Sequence, residues 1–268
     1  MSPELAFLLT LVLRMAIAAA FVVSASVITE RSGPVIGALI ATLPISAGPS
    51  YVFLALDHDA AFVAEGALAS LPINAATITL GLTYAVLAQR FSMWISAGTA
   101  IAVWLVLATI IRQFQWTLLA GLIANAIAFA ICIPLLTPYA HVKKMPLIAR
   151  RWYDIPMRAA LVALLVATVV STSSWVGPRI SGIIALFPIV FTSLMLILHP
   201  RIGGKPTAAV IANSAWGLMG FGLAIAVMHA AVLQLGSAIG LSLGLATCVG
   251  WNLALWWNGR RKARRASQ

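Results

Sequence analysis

The sequence predicts an all-α polytopic membrane helix bundle of about nine transmembrane helices, with inverted four-helix repeats joined by a connecting helix. Three observations lead there. Of the 268 residues 62% are hydrophobic and 9% charged, at a mean hydropathy of +1.02, whereas about a quarter of a soluble domain's residues are charged. The apolar residues fall in runs long enough for a bilayer core, which takes roughly 20 residues of helix. One stretch of the chain also recurs 144 residues later. The composition excludes a soluble enzyme, a disordered regulator and a disulfide-stapled secreted domain. Cys132 and Cys248 lie in apolar stretches with no ligand partners beside them.

In chain order the expected spans are 5–28, 34–56, 60–88, 93–111, 116–137, 156–175, 178–198, 206–230 and 235–257. The first carries Arg14 inside its apolar run and Glu4 ahead of it, so it reads as a retained helix rather than a cleavable leader. The second opens at Gly33-Pro34 and contains Pro44 and Ser46-Ala47-Gly48-Pro49-Ser50. It ends at Asp57-His58-Asp59, read as a solvated outer turn, with weak divalent-cation binding as the functional alternative. The third holds Glu65, the one acidic residue inside an expected span. There a carboxylate gains from the helix macrodipole, and proton coupling is the functional alternative. Residues 1–114 form repeat 1, 115–139 the connecting helix, 140–155 a basic cytoplasmic loop, 156–258 repeat 2 and 259–268 a basic cytoplasmic tail.

Charge sets the orientation. With the N-terminus outside and the C-terminus cytoplasmic, 14 of the 17 basic residues fall on inner segments. Arg112 and Arg179 stay outside, and Arg14 lies within the first span. Eight or ten helices would push a strongly basic segment outward, against the positive-inside rule. Trp94, Trp116, Trp152, Trp175, Trp256 and Trp257 fall at span ends, where interfacial aromatics belong; Trp104 and Trp216 do not.

The duplication supplies the candidate site. Gly33-Pro34 to Ile45 lies over Gly177-Pro178 to Ile189 with seven of thirteen positions identical, and Arg14 lies over Arg158. The ladder Ser92/Ser96/Ala100 lies over Gly236/Gly240/Gly244. Five spans separate equivalent positions, so the second copy is inverted, an arrangement common in secondary transporters. Pro44 and Pro188 come ten residues after Pro34 and Pro178, about 15 Å along a helix and so near the midplane. A proline inside a helix removes a backbone bond and frees a carbonyl. Pro44, Ser46, Gly48, Pro188 and Thr192 are therefore candidate substrate-binding positions; a kink satisfied by neighbouring helices is the structural alternative. Arg14 and Arg158 either snorkel to headgroups or bind an anionic solute through their forked donors. The small-residue ladders are packing faces, within one chain or in a homodimer.

The segment Ser181-Gly-Ile-Ile-Ala-Leu-Phe-Pro188, followed by Ala208–Gly217 and a further apolar helix, resembles the GlpM-type small bacterial inner-membrane proteins. Those are single four-helix units with a Gly-x-x-x-Leu-Phe-Pro element near an early helix. The resemblance covers 178–257 and, more faintly, 33–100. It implies a fused tandem copy in the bacterial cytoplasmic (inner) membrane, departs from the family in its duplication and fifth helix, and carries no chemistry over.

No HExxH, Gly-x-Ser-x-Gly or phosphate-loop motif is present, so no catalytic residue, metal or cofactor is expected, and the chain does not read as an enzyme. The leading expectation is a secondary transporter or exporter of a small solute, anionic if the two arginines bind it. The alternative is a non-transporting accessory or assembly protein for envelope lipid or polysaccharide handling. Expected partners are the lipid bilayer, anionic lipid at the basic tail and the solute; nucleic acid is not among them.

Overall fold

The computed structural model describes residues 2–31, 44–142 and 151–266. Residues 32–43 (most of the first half of the second expected span), 143–150 of the basic loop and the end of the tail lie outside them. The described helices are α1 (Pro3–Arg31), α2 (Ala47–Asp57), α3 (Ala60–Leu87), α4 (Met93–Ile111), α5 (Leu118–Leu136), α6 (Asp154–Ala185), α7 (Ile189–Ile202), α8 (Gly204–Asn213), α9 (Ala215–Leu235) and α10 (Ser237–Ala266). No strand occurs among the described residues.

Seven stretches are long and apolar enough to cross a bilayer: Glu4–Val27, Ala60–Leu87, Met93–Ile111, Leu118–Tyr139, Asp154–Ala185, Gly204–Leu235 and Ser237–Arg261. The chain is therefore a multi-pass membrane protein, and these stretches correspond to seven of the expected spans. Its outward surface fits that solvent. Phe7, Val12, Leu13 and Phe21 on α1 and Leu105, Val106 and Ile110 on α4 are all exposed, a penalty in water and none among acyl chains. Trp94, Trp152, Trp175 and Trp257 are exposed near helix ends, whereas Trp104 is buried.

The expected span 178–198 is not one continuous helix, and in the described part of 34–56 residues 44–46 are not helical. Pro44 and Pro188 both stand outside helices rather than at a kink inside one, the structural alternative. Gly177 adopts φ 77° and breaks α6 ahead of Pro178. The helix then stops at Ala185, and α7 begins after Leu186-Phe187-Pro188, with Pro188 as its N-cap. In the first copy α2 likewise starts just after Pro44, with Ser46 as N-cap. A residue without an N–H is tolerated at a helix start, where that donor has no partner anyway. Each proline therefore stands just ahead of a helix instead of inside one.

Helix α3 is the central strut. It packs against α4, α5, α6, α8 and α9, and α5 packs against both α3 and α9. Close approach is set by small residues. A Cβ on Gly182 would fall 2.1 Å from the Gly66 carbonyl oxygen, so α6 crosses α3 backbone to backbone. Both small-residue ladders work inside the chain: Ser96 and Ala100 are fully buried, Gly240 fits against Val232 and Gly244 against Met228. Gly236, at φ 84°, makes the turn between α9 and α10. Side chains also tie the two ends of α3. His58 Nε2 meets Ser173 Oγ at 2.9 Å near its start, and Tyr84 Oη meets His199 Nδ1 at 2.7 Å near its finish.

Candidate functional site

The two half-helices begin alike. The Pro44 carbonyl accepts the Gly48 N–H at 2.8 Å, and the Pro188 carbonyl accepts the Thr192 N–H at 2.9 Å. Both starts face one cavity of about 120 Å³. Its walls include Pro44 with Pro188, Ser46 with Val190, Ala47 with Phe191, Asn74 with Leu218 and Thr77 with Phe221. Every one of these pairs is 144 residues apart, the offset of the sequence duplication. Leu186 and Phe187 enter from the break itself, and Ser214 from the turn between α8 and α9.

Asn74 is completely buried in the wall of this cavity. Its Nδ2 donates to Asn125 Oδ1 at 2.9 Å and to the Leu218 carbonyl at 3.1 Å. The amide cannot be turned round. Asn125 must aim Nδ2 at two acceptors, the carbonyls of Leu71 (2.6 Å) and Gly121 (2.9 Å), which leaves its Oδ1 needing a donor. Asn74 Oδ1 then points away from all these groups and has no hydrogen-bond partner among the described residues. Gly222 makes the room: a Cβ there would lie 2.7 Å from Asn74 Nδ2 and 3.0 Å from Asn125 Oδ1.

A second support reaches in from α4. Trp104 donates from Nε1 to Thr77 Oγ1 at 3.1 Å and sets its ring edge-on to Phe187, with centroids 5.3 Å apart. Thr77 passes its own hydroxyl proton to the Ile73 carbonyl. A tryptophan away from the interface thus fixes two wall residues at once.

Of the sequence-predicted site residues, Pro44, Ser46 and Pro188 line the cavity. Gly48 and Thr192 sit in the first turns behind the prolines, held by the hydrogen bonds above. The charged candidates lie elsewhere. Arg14 forms a two-pronged ion pair with Asp57, its Nη2 at 2.6 Å from Oδ1, and its guanidinium lies over the Phe53 ring. Arg158 lies on α6 one turn beyond Asp154 and acts on that carboxylate electrostatically. Asp154 in turn is clasped by Arg201, Nη1 to Oδ2 at 2.8 Å. Hydrogen bonds from Arg201 and Arg151 hold the neighbouring Tyr153 phenol below its ordinary pKa. Glu65 pairs with Arg179 at 2.7 Å in a separate peripheral pocket that also contains Arg112.

The Asp57-His58-Asp59 turn is exposed, yet each side chain has a partner. Asp57 holds Arg14, His58 holds Ser173 and stacks on Phe62, and Asp59 caps α3 by accepting the Phe62 N–H at 2.9 Å. No cluster able to hold a metal ion exists among the described residues. Asn74, Thr77 and Trp104 were legible in the sequence only as mid-span polar or aromatic residues in need of partners. No protein-family model, curated protein or solved structure matches the chain.

Proposed function

We propose that this protein is a secondary transporter of a small solute, working by alternating access around the cavity at the starts of α2 and α7. One observation carries the reading: the cavity walls come in pairs 144 residues apart. A pocket lined by both copies of a duplication lies where the copies meet, and in inverted-repeat transporters that is the midplane binding site. On this reading 34–56 and 178–198 each cross the membrane, which makes nine passes. The N-terminus is then outside and the C-terminus inside the bacterial cytoplasmic membrane, and the chain is a duplicated version of the GlpM-type unit.

Interrupted backbone at membrane depth needs a reason, because lipid cannot satisfy it; lining a cavity is one. The ion pairs supply a means of switching. Arg14–Asp57 ties α1 to the far end of α2, and Asp154–Arg201 ties α6 to the far end of α7. Asp57 lies near the start of α3, and Arg201 lies near its finish through His199 and Tyr84. Twenty-eight residues of α3 put these ends about 42 Å apart. Parting one pair while the other stays closed would expose the cavity to one side at a time, a rocking motion of the two copies.

The test is solute flux in proteoliposomes, comparing wild type with Pro188→Ala and with Phe221→Trp, which fills the cavity. Saturable flux that Phe221→Trp abolishes is the expected result. A broad solute panel with no flux above protein-free liposomes would overturn transport and leave the accessory role.

A further inference from the structure

We infer that the cavity recognises an uncharged solute presenting a hydrogen-bond donor on a small apolar body, and that Asn74 Oδ1 accepts that donor. The inference rests on the transport reading and names its substrate class. A buried carbonyl oxygen without a partner is a standing cost, and the asparagine network leaves Oδ1 no alternative orientation. A solute O–H or N–H would satisfy it.

The described side chains around this oxygen offer an anion no cationic partner. Thr77 and Ser214 already donate their hydroxyl hydrogen bonds to the Ile73 and Val210 carbonyls, so they too offer lone pairs rather than donors. At the helix starts, three of the N–H groups are already used. Gly48 and Thr192 donate to the prolines, Ile189 donates to the Phe187 carbonyl, and Pro49 has no N–H to give. No basic side chain is among the described lining residues, and Arg14 is neutralised by Asp57. A carboxylate would bring two more acceptors and a charge into this setting, where burial of an unpaired charge is costly. The remaining contacts are apolar, chiefly Phe187, Phe191, Phe221 and Leu218. About 120 Å³ limits the solute to a handful of heavy atoms, since roughly 150 Å³ holds benzene.

Binding is read by ¹⁹F NMR on the full chain in lipid nanodiscs, with three probes of similar size. Trifluoroethanol is neutral with a donor, methyl trifluoroethyl ether is neutral without one, and trifluoroacetate is an anion. The expected result is saturable trifluoroethanol binding at least about tenfold tighter than the ether, the scale of one hydrogen bond, with none for trifluoroacetate. Asn74→Leu should erase that preference. Because this variant also strips the bonds to Asn125 and Leu218, Phe221→Trp serves as a second variant that spares the amide network; it should abolish binding of both neutral probes. Tighter binding of trifluoroacetate, equal binding of ether and alcohol, or no saturable binding overturns the inference. Proteoliposome flux separates it from the reading beneath it. Saturable flux of anions would remove this substrate class and leave transport standing, whereas trifluoroethanol binding without flux of any solute would do the reverse.

Discussion

Asn74 donates from Nδ2 to the backbone carbonyl of Leu218 at 3.1 Å, and the two residues stand 144 positions apart. That is the offset separating Gly33-Pro34 from Gly177-Pro178. Positions at the offset of the sequence repeat therefore touch where α3 and α9 cross. The cavity lies beside this contact. The copies are not identical there: one offers an amide side chain and the other only a main-chain carbonyl. The Asn74 Oδ1 that remains is a product of that asymmetry.

The crossing of α3 and α6 depends on Gly182 more than on Gly66. A methyl at 182 would lie 2.1 Å from the Gly66 oxygen and 2.7 Å from its carbonyl carbon, both backbone atoms that cannot turn aside. At Gly66 the nearest atom to such a methyl is the Pro178 oxygen at 3.2 Å, which a small shift relieves. Overpacking costs about 1–3 kcal/mol. Gly182→Ala is expected at or above the top of that range and Gly66→Ala near its bottom. Thermal melts of the two purified variants check the order.

Gly177 is needed for a different reason. No atom lies within 4 Å of a Cβ built there, but its φ of 77° is a left-handed value. With ψ at 177° it lies in a region open essentially to glycine alone, where a side chain costs about 1–3 kcal/mol. Gly177→Ala should therefore lower the melting temperature, while Gly250→Ala, which also meets open space but lies within regular helix α10, should not. Equal melts for the two would remove the claim that the break before Pro178 depends on glycine.

The two ion pairs should respond differently to exchange of their charges. Asp154 and Arg201 are the less exposed, at 13% and 10% of side-chain area against 28% and 17% for Asp57 and Arg14. Breaking a buried pair costs about 3–5 kcal/mol, and exposure reduces this. Arg201→Gln is therefore expected to destabilise more than Arg14→Gln. Swapping Arg14→Asp with Asp57→Arg should recover most of the single-variant loss. Swapping Asp154→Arg with Arg201→Asp should recover less, because the new arginine would stand one turn from Arg158. Melting temperatures of the singles and doubles, combined as mutant cycles, give both comparisons.

The long spans were legible because a run of about 20 apolar residues is a one-dimensional signal that needs no knowledge of neighbours. The interruptions were half legible. Pro44 and Pro188 marked the right places, but a proline is compatible with a bent helix or a restarted one. The choice at Pro188 is visible only in the backbone around Leu186 and Phe187. Arg14 showed as a charge in a span, and its partner did not. Asp57 lies 43 residues away and reaches it only because α2 is a short half-helix ending beside α1. Asn74 was the hardest to read: its importance lies in which way its amide points, and that is set by Asn125 and two carbonyls on other turns.

Orientation is the last matter open to a direct check. The proposed nine passes put the turn at 88–92 inside and the turn at 112–117 outside, flanking α4. Gln89 and Gln113 sit in those turns, and neither side chain is needed for a tertiary contact: Gln89 donates only to the Ala85 carbonyl on its own helix. The native Cys132 and Cys248 are buried and supply little background. In intact cells a membrane-impermeant maleimide should label Gln113→Cys, and it should label Gln89→Cys only after the membrane is opened. This outcome follows from the positive-inside placement of the basic residues, since Arg90 lies on the inner turn and the loop at 140–155 on the same side. The reverse pattern would invert the whole bundle. The Arg14–Asp57 end would then face the cytoplasm, and the strongly basic tail would have to lie outside.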